Sequence, residues 1–428
     1  MAGPGVAAVR QRFSVFHGLL ALVSRRLAVD HVRGSHNQGE TMKAGSRRAF
    51  LVRNIPAAGV VGWALAAREG RSDDTDTAVA LASKGVAFLR PRQGADGSWS
   101  GDRKEPGITA LVVTAMLRSR RVTPDDAAIT KGLAYLERFI GPKGGLSGAP
   151  HSVYSTSVAL MAFQAANTGG RFDKVIKGGQ EFLKATQWDE GEKKGREDAQ
   201  YGGLGYGADR SRPDLSNTAF FIEALRDTGL PADDPALQKA LVFVSRCQNL
   251  KSEFNDQPGA GKINDGGFAY TPTTGNTEAP AKSTKGARGK GATRPGEQGA
   301  LRSSAGMTYA GLKSMIYAGL KQDDLRVKAA LEYIRKNYTL DENPGQGQRG
   351  LYYYYQTFAK AMALLGSPTM VDAGGLEHNW RAELVAALAK RQEASGGWAN
   401  RDDRFMEGDP NIVTSFALLA LASTWSKA

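Results

Sequence analysis

The segment Gln93-Gly94-Ala95-Asp96-Gly97-Ser98-Trp99 constrains this chain more than any other feature, because variants of it recur. They stand at Gly144-Gly145-Leu146, Tyr201-Gly202-Gly203-Leu204-Gly205-Tyr206, Asp265-Gly266-Gly267-Phe268 and Ser395-Gly396-Gly397-Trp398. A helical pattern lies before and after each copy. A recurring helix–loop–helix unit is the signature of a repeat architecture, in which each unit buries its apolar face only against its neighbours. Length alone would suggest two domains for 428 residues; the repeat predicts one closed body instead.

Each unit opens with an amphipathic segment carrying an aromatic–aliphatic pair: Phe88-Leu89, Tyr135-Leu136, Phe182-Leu183, Phe243-Val244 and Tyr333-Ile334, with Leu388 in the last unit. Four residues after the aliphatic member comes glutamine at Gln93, Gln187, Gln248 and Gln392, replaced by Ile140 and Tyr338 in two units. A glycine-rich turn follows, then a second segment that is apolar on almost every side, such as Ile108 to Leu117 or Thr308 to Leu320. A helix apolar all round is a buried helix. Six such pairs predict an all-α fold of twelve helices, an (α/α)6 toroid with apolar helices inside and amphipathic helices outside. Glycine at the turns permits the positive φ that reverses the chain, and the Trp, Phe or Leu after it is expected to pack between units.

Lys84 to Gln93 followed by Gly97-Ser98-Trp99, the half-repeat Lys131 to Leu136, and Gln392 to Trp398 resemble the Gln-Trp repeats of squalene–hopene and oxidosqualene cyclases. The resemblance covers about residues 77–425. It implies the α/α toroid shared by triterpene cyclases, protein prenyltransferase β subunits and complement thioester domains, with a central cavity for an isoprenoid or other apolar ligand. It does not choose among their activities, because a fold hosts many functions.

The formal net charge of +13 is concentrated outside this body. Residues 1–66 hold nine Lys/Arg against two acids, and residues 276–302 hold six against two. What remains is nearly neutral, which argues against a nucleic-acid partner. Within the basic N-terminal stretch, Ser46-Arg47-Arg48-Ala49-Phe50-Leu51 precedes an apolar run from Ile55 to Ala67, with Ala64-Leu65-Ala66 as a cleavage site. This resembles a twin-arginine export signal. It predicts an over-extended start or basic tail over 1–41, a signal peptide over 42–66 beginning at Met42, and the toroid over 67–428, exported to the periplasm or cell envelope. The Gly-, Lys-, Thr- and Pro-rich insert 271–304 is expected to be disordered.

The chemistry is harder to read. The cyclase acid motif, Asp-x-Asp-Asp-Thr-Ala, is best matched by Asp214-Leu215-Ser216-Asn217-Thr218-Ala219, in which Ser216 and Asn217 replace the proton donor and its partner. Asp102, Asp214 and Asp409 each stand near the start of an inner helix and are the candidate general acids; the competing reading is helix capping, clearest where Asp409 precedes Pro410. Tyr154, Tyr309 and Tyr354 are the candidate ligand-lining aromatics. A prenyltransferase-type zinc site is not expected from His151, His378 and the lone Cys247, and no cofactor is expected. The functional expectation is an isoprenoid- or lipid-binding toroid that lacks the usual cyclase acid. The alternatives are a divergent cyclase, a polysaccharide-active toroid or a non-catalytic envelope scaffold. The lining of the central cavity discriminates among them.

Overall fold

The computed structural model describes residues 75–148, 151–207, 212–273 and 301–425. Every described residue belongs to one unit, 61–428. The expected export signal therefore lies outside the described residues, as does 274–300 of the insert.

The described residues form helices and loops, with one short antiparallel hairpin, Met370–Val371 with Glu377–His378. The described helices alternate between two rings. The outer ring comprises α1 (75–89), α3 (Ala127–Glu137), α5 (Asp173–Ala185), α7 (Pro235–Arg246), α9 (Leu325–Lys336) and α11 (Trp380–Arg391). The inner ring comprises α2 (Pro106–Arg118), α4 (Ser152–Ala165), α6 (Leu215–Asp227), α8 (Ala305–Tyr317), α10 (Leu351–Leu365) and α12 (Pro410–Trp425). Each inner helix packs on the next, and α12 packs on α2, so the ring closes. The fold is the expected (α/α)6 toroid. Inner α8 stops at Tyr317 rather than running to Leu320, because Gly319 adopts a left-handed φ of 92° and reverses the chain.

The recurring glutamine explains the architecture. Gln93 Nε2 donates to the carbonyl of Gly97 in its own loop (3.0 Å) and to Ala128 in the first turn of the next outer helix (2.9 Å). Gln187 does the same to Gly202 and Ala236, and Gln248 to Gly266 and Arg326. Gln392 donates to Gly396 and, at 3.0 Å, to Leu81 of α1, which ties the last unit to the first. Where glutamine is absent, other groups take its place. Ile140 forms a backbone bridge to Leu146, and the Tyr338 hydroxyl donates to Glu383 of α11 at 2.8 Å.

The rest of the loop has equally local causes. Gly97 has φ 92°, and a Cβ there would lie 2.5 Å from the Lys131 carbonyl of the next outer helix. The aromatic of the repeating pair rests on the following glycine, as Phe243 does on Gly203 and Phe88 on Gly397. The backbone N–H after the glycines donates to an inner-helix threonine: Trp99 to Thr109, Leu146 to Thr156, Leu204 to Thr218, Phe268 to Thr308 and Trp398 to Thr414. Trp99 and Trp398 are buried and bond through Nε1 to Leu89 and Leu388.

Two predictions follow from this packing. Trp99→Ala and Trp398→Ala should each cost roughly 3–5 kcal/mol, seen as a large fall in Tm; unchanged melting of both would show that the loops are not the seams of the ring. Gln187→Leu should cost about 1–3 kcal/mol, since it leaves the buried Gly202 carbonyl without a donor and removes a second bond to Ala236, and denaturant titration should detect it. A variant as stable as the parent would show that the clip is dispensable.

Candidate functional site

Five inner helices contribute to one cavity of about 340 Å3, lined by Leu117 and Arg118 at the end of α2, Met161 in the C-terminal half of α4, Asp227 at the end of α6, Gln356 and Lys360 in the middle of α10 and Leu419 in the C-terminal half of α12. The inner helices are therefore parallel, with their C-termini at this end and their N-termini at the other. Its lining is mixed: Leu117, Met161 and Leu419 are apolar, and Arg118, Gln164, Asp227, Gln356, Lys360 and Ser423 are polar or charged.

Contacts between helices two places apart in a six-membered ring must cross its lumen, and two layers of side chains do so. Nearer the N-terminal end, Tyr154 of α4 meets Phe220 of α6 edge-on at 5.3 Å, Phe220 meets Tyr353 of α10 at 6.2 Å, and Tyr353 meets Phe416 of α12 at 5.8 Å. Towards the cavity lies a charged layer. Glu223 of α6, fully buried, accepts from Lys313 Nζ of α8 at 2.5 Å and from Arg118 of α2 at 3.1 Å, with Lys360 of α10 at 3.8 Å. Arg118 also pairs with Asp227. Burial alone would raise the Glu223 pKa, but Lys313, Lys360 and Arg118 hold it well below the usual carboxylate range. The same pairing raises Arg118 further above its ordinary value in spite of burial.

At the N-terminal end, Asp214 caps α6. Its Oδ1 accepts the Asn217 backbone N–H at 2.9 Å and its Oδ2 accepts Asn217 Nδ2 at 2.7 Å. It is also hydrogen-bonded to Tyr270, and burial pushes its pKa up to about 6 against these donors. Tyr206 bonds to Tyr270 and Asn217, and burial lifts its hydroxyl to about 12. Ser216 hydrogen-bonds to Tyr353. Thr218 of the motif-like segment is one of the loop-anchoring threonines. Nearby, Glu105 at the start of α2 accepts from Ser155 at 3.0 Å and pairs with His151 at 2.8 Å.

The remaining sequence candidates are dispersed. Asp102 is exposed in the turn Gly101–Arg103. Asp409 accepts the Asn411 backbone N–H at 2.8 Å at the start of α12 and is paired with Arg103, so it is held as a cap. Tyr154 belongs to the aromatic layer across the lumen. Tyr309 and Tyr354 instead pack with Phe358, which contacts Trp380 of the outer ring, so both rings lie between the two layers of helices. The Tyr354 hydroxyl donates to the Thr339 carbonyl at 2.6 Å. The cavity is thus not the wholly apolar tunnel that an isoprenoid reading leads one to expect. The residues that line it, Arg118, Gln356 and Lys360, went unnoticed in the sequence. Their signal was charge and amide in helices otherwise apolar.

Among the described residues no three His, Cys, Asp or Glu side chains are grouped to hold a metal ion. Cys247 is buried at the C-terminus of α7, its thiol pushed up by burial. No described helix is long and apolar enough to cross a membrane.

No protein-family model matches the chain, and no curated protein matches it. Solved structures do. A variant of the type II terpene cyclase MstE from Scytonema, in complex with its substrate geranylgeranyl dihydroxybenzoate, matches with a TM-score of 0.50 and 12% identity over 82% of this chain and 99% of that one. MstE without ligand matches with a TM-score of 0.49, 13% identity and coverage of 82% and 98%. A protein from Actinoplanes matches with a TM-score of 0.45, 15% identity and coverage of 82% and 100%. At this identity the likeness is one of fold: the chain has a terpene-cyclase-like toroid.

One further carboxylate was not foreseen. Glu407 is buried and caps α10 from a distance, accepting the backbone N–H of Tyr353 at 2.8 Å and of Tyr352 at 3.3 Å, and Asn400 Nδ2 at 2.6 Å. The local cap position is Gly350, which has no side chain to offer. Burial lifts Glu407 from an ordinary 4.5 to about 7 against those donors. The folded chain then holds this proton more tightly than the unfolded chain. The stabilisation is complete below about pH 4.5 and is lost as pH rises towards about 7. Glu407→Gln should remove this dependence: the stability of the parent relative to the variant should fall across that window. Parallel stability–pH curves would show that Glu407 titrates normally.

Proposed function

We propose that this chain is an exported ligand-binding toroid that holds an isoprenoid or similar apolar-bodied molecule in its central cavity and does not cyclise it. The observation that carries this reading is the cavity at the ends of the inner helices, with Leu117, Met161 and Leu419 among its lining residues. At about 340 Å3 it falls at the small end of the range for ligand sites, about 300–1,000 Å3. The fold neighbour solved with geranylgeranyl dihydroxybenzoate supports an isoprenoid body for the ligand. Alkene protonation needs a strongly acidic, ligand-facing carboxyl. The segment here offers Ser216 and Asn217 at the decisive places, and Asp214 is spent on capping α6.

The filled mid-section of the lumen favours a second reading, an envelope scaffold with no ligand. The two separate in one experiment. Purified protein is incubated with squalene and with geranylgeranyl dihydroxybenzoate; native mass spectrometry reads retention and gas or liquid chromatography reads product. Retention of an isoprenoid without cyclic product is expected. No retention would leave the scaffold, and robust cyclic product would overturn the loss of cyclase chemistry. Export rests on Arg47 and Arg48: Arg47→Lys with Arg48→Lys should leave the precursor in the cytoplasm, and normal export of that variant would refute the twin-arginine route.

A further inference from the structure

The charged and polar residues that line the cavity have features that the charged layer alone does not require. Gln356 is 3% exposed and lines the cavity, and its Oε1 is buried without a hydrogen-bond partner among the described residues. A buried amide oxygen left without a donor is costly, and native structures rarely leave one so. Lys360, one turn further along α10, reaches Glu223 only at 3.8 Å, and its side chain is 24% exposed at the cavity. Its ammonium therefore keeps donors to spare, since Glu223 is already served by Lys313 and Arg118. Arg120 lies just beyond the end of α2 in a left-handed conformation (φ 57°), on the rim of the same cavity, with no ion pair among the described residues. Four cations, Arg118, Arg120, Lys313 and Lys360, thus face two carboxylates, Glu223 and Asp227. Part of this excess complements the negative C-terminal ends of the parallel inner helices. Helix ends do not explain the unmatched amide.

We infer that the cavity is built for a small amphiphilic anion, with its head group between Arg120, Lys360 and the Gln356 amide and its hydrocarbon body on Leu117, Met161 and Leu419. The inference rests on the ligand-binding reading above and specifies the head group that reading leaves open. Arg120 and Lys360 supply the charge. Gln356 contributes N–H donors to the anion, and its Oε1 accepts from a hydroxyl of the ligand or from a water that the head group holds in place. Glu223 keeps Lys313 and Arg118 engaged, so the free donors are those at the cavity.

The test compares three probes of defined chemistry by isothermal titration calorimetry: geranate, geraniol with the same body and a neutral head, and inorganic phosphate with no body. Geranate should bind about tenfold or more tightly than geraniol, in line with a charge-assisted hydrogen bond, and more tightly than phosphate. Added salt should weaken geranate and not geraniol. Arg120→Ala, at an exposed rim position that does not threaten the fold, should weaken geranate several-fold and leave geraniol unchanged. Lys360→Met and Gln356→Leu should do so more strongly. Geraniol binding as tightly as geranate, or geranate binding indifferent to Arg120→Ala and Lys360→Met alike, would overturn the anionic head group while sparing the isoprenoid reading. Phosphate binding as tightly as geranate would overturn the amphiphile. Binding of neither geranate nor geraniol would remove the ligand-binding reading itself.

Discussion

The side-chain amide of the glutamine that recurs in four of the six units is the contact on which the ring depends. It reaches two backbone carbonyls at once, one in its own glycine-rich loop and one in the first turn of the next outer helix. The loop carbonyl would otherwise be buried without a donor, and the helix carbonyl gains a second one, so the amide satisfies the loop and sets the spacing to the next unit in a single geometry. That geometry is available only if the loop backbone approaches the neighbouring helix closely. Gly97 and its counterparts allow it, because a side chain there would strike the helix carbonyls. The Gln392 bond to Leu81 converts a chain of such clips into a closed body, so no unit is left with an apolar face exposed to water.

The alternation of outer and inner helices makes the inner helices parallel, and parallel helices give the toroid two electrostatically different ends. N-termini gather at one end and carboxylates are found there: Glu105, Asp214, Glu407 and Asp409, three of them accepting helix N–H groups. C-termini gather at the other, where Arg118, Arg120 and Lys360 collect. Partial charges at helix ends favour this arrangement of side chains. It also accounts for the fate of the motif-like segment. Asp214 stands where an anion is wanted for capping, and its hydrogen bonds run to Asn217 and Tyr270 rather than towards a ligand space.

How much of this could be read from the sequence follows from the range of the interactions. The toroid was legible because glutamine, glycine pair and aromatic lie within a few residues of one another and recur. The role of the inner-helix threonines was hidden, although Thr109, Thr156, Thr218, Thr308 and Thr414 repeat just as faithfully, because their partners are backbone groups in loops. The cavity was illegible for a different reason. Arg118, Glu223, Lys313 and Lys360 are separated by 105 residues at one pair and 90 at another, and only ring closure brings them across the lumen. Treating the inner helices as uniformly apolar passed over the few charged positions that could have marked it. Tyr309 and Tyr354 show the converse error: aromatic residues on an inner helix point outward between the rings as readily as inward.

The two layers across the lumen differ in what they contribute. Aromatic rings from α4, α6, α10 and α12 bury area and pack edge-on, which stabilises the ring directly. The charged layer beneath them is a weak source of stability, because desolvating several ions offsets most of their attraction, whereas removing one partner leaves a buried charge uncompensated. A chain selected for stability alone would fill that level with leucine, as the helices do elsewhere. Lys313 at 1% exposed and Glu223 at 0% are therefore better understood through what lies next to them. Together with Arg118 they form a rigid, satisfied floor on which Lys360 is positioned but not consumed. The aromatic layer seals this floor from the carboxylate-rich end, so protonation of Asp214 or Glu407 is separated by a layer of rings from the cavity at the opposite end. One toroid thus carries two electrostatically different ends, with carboxylates at the N-termini of the inner helices and the cations Arg118, Arg120 and Lys360 at the cavity.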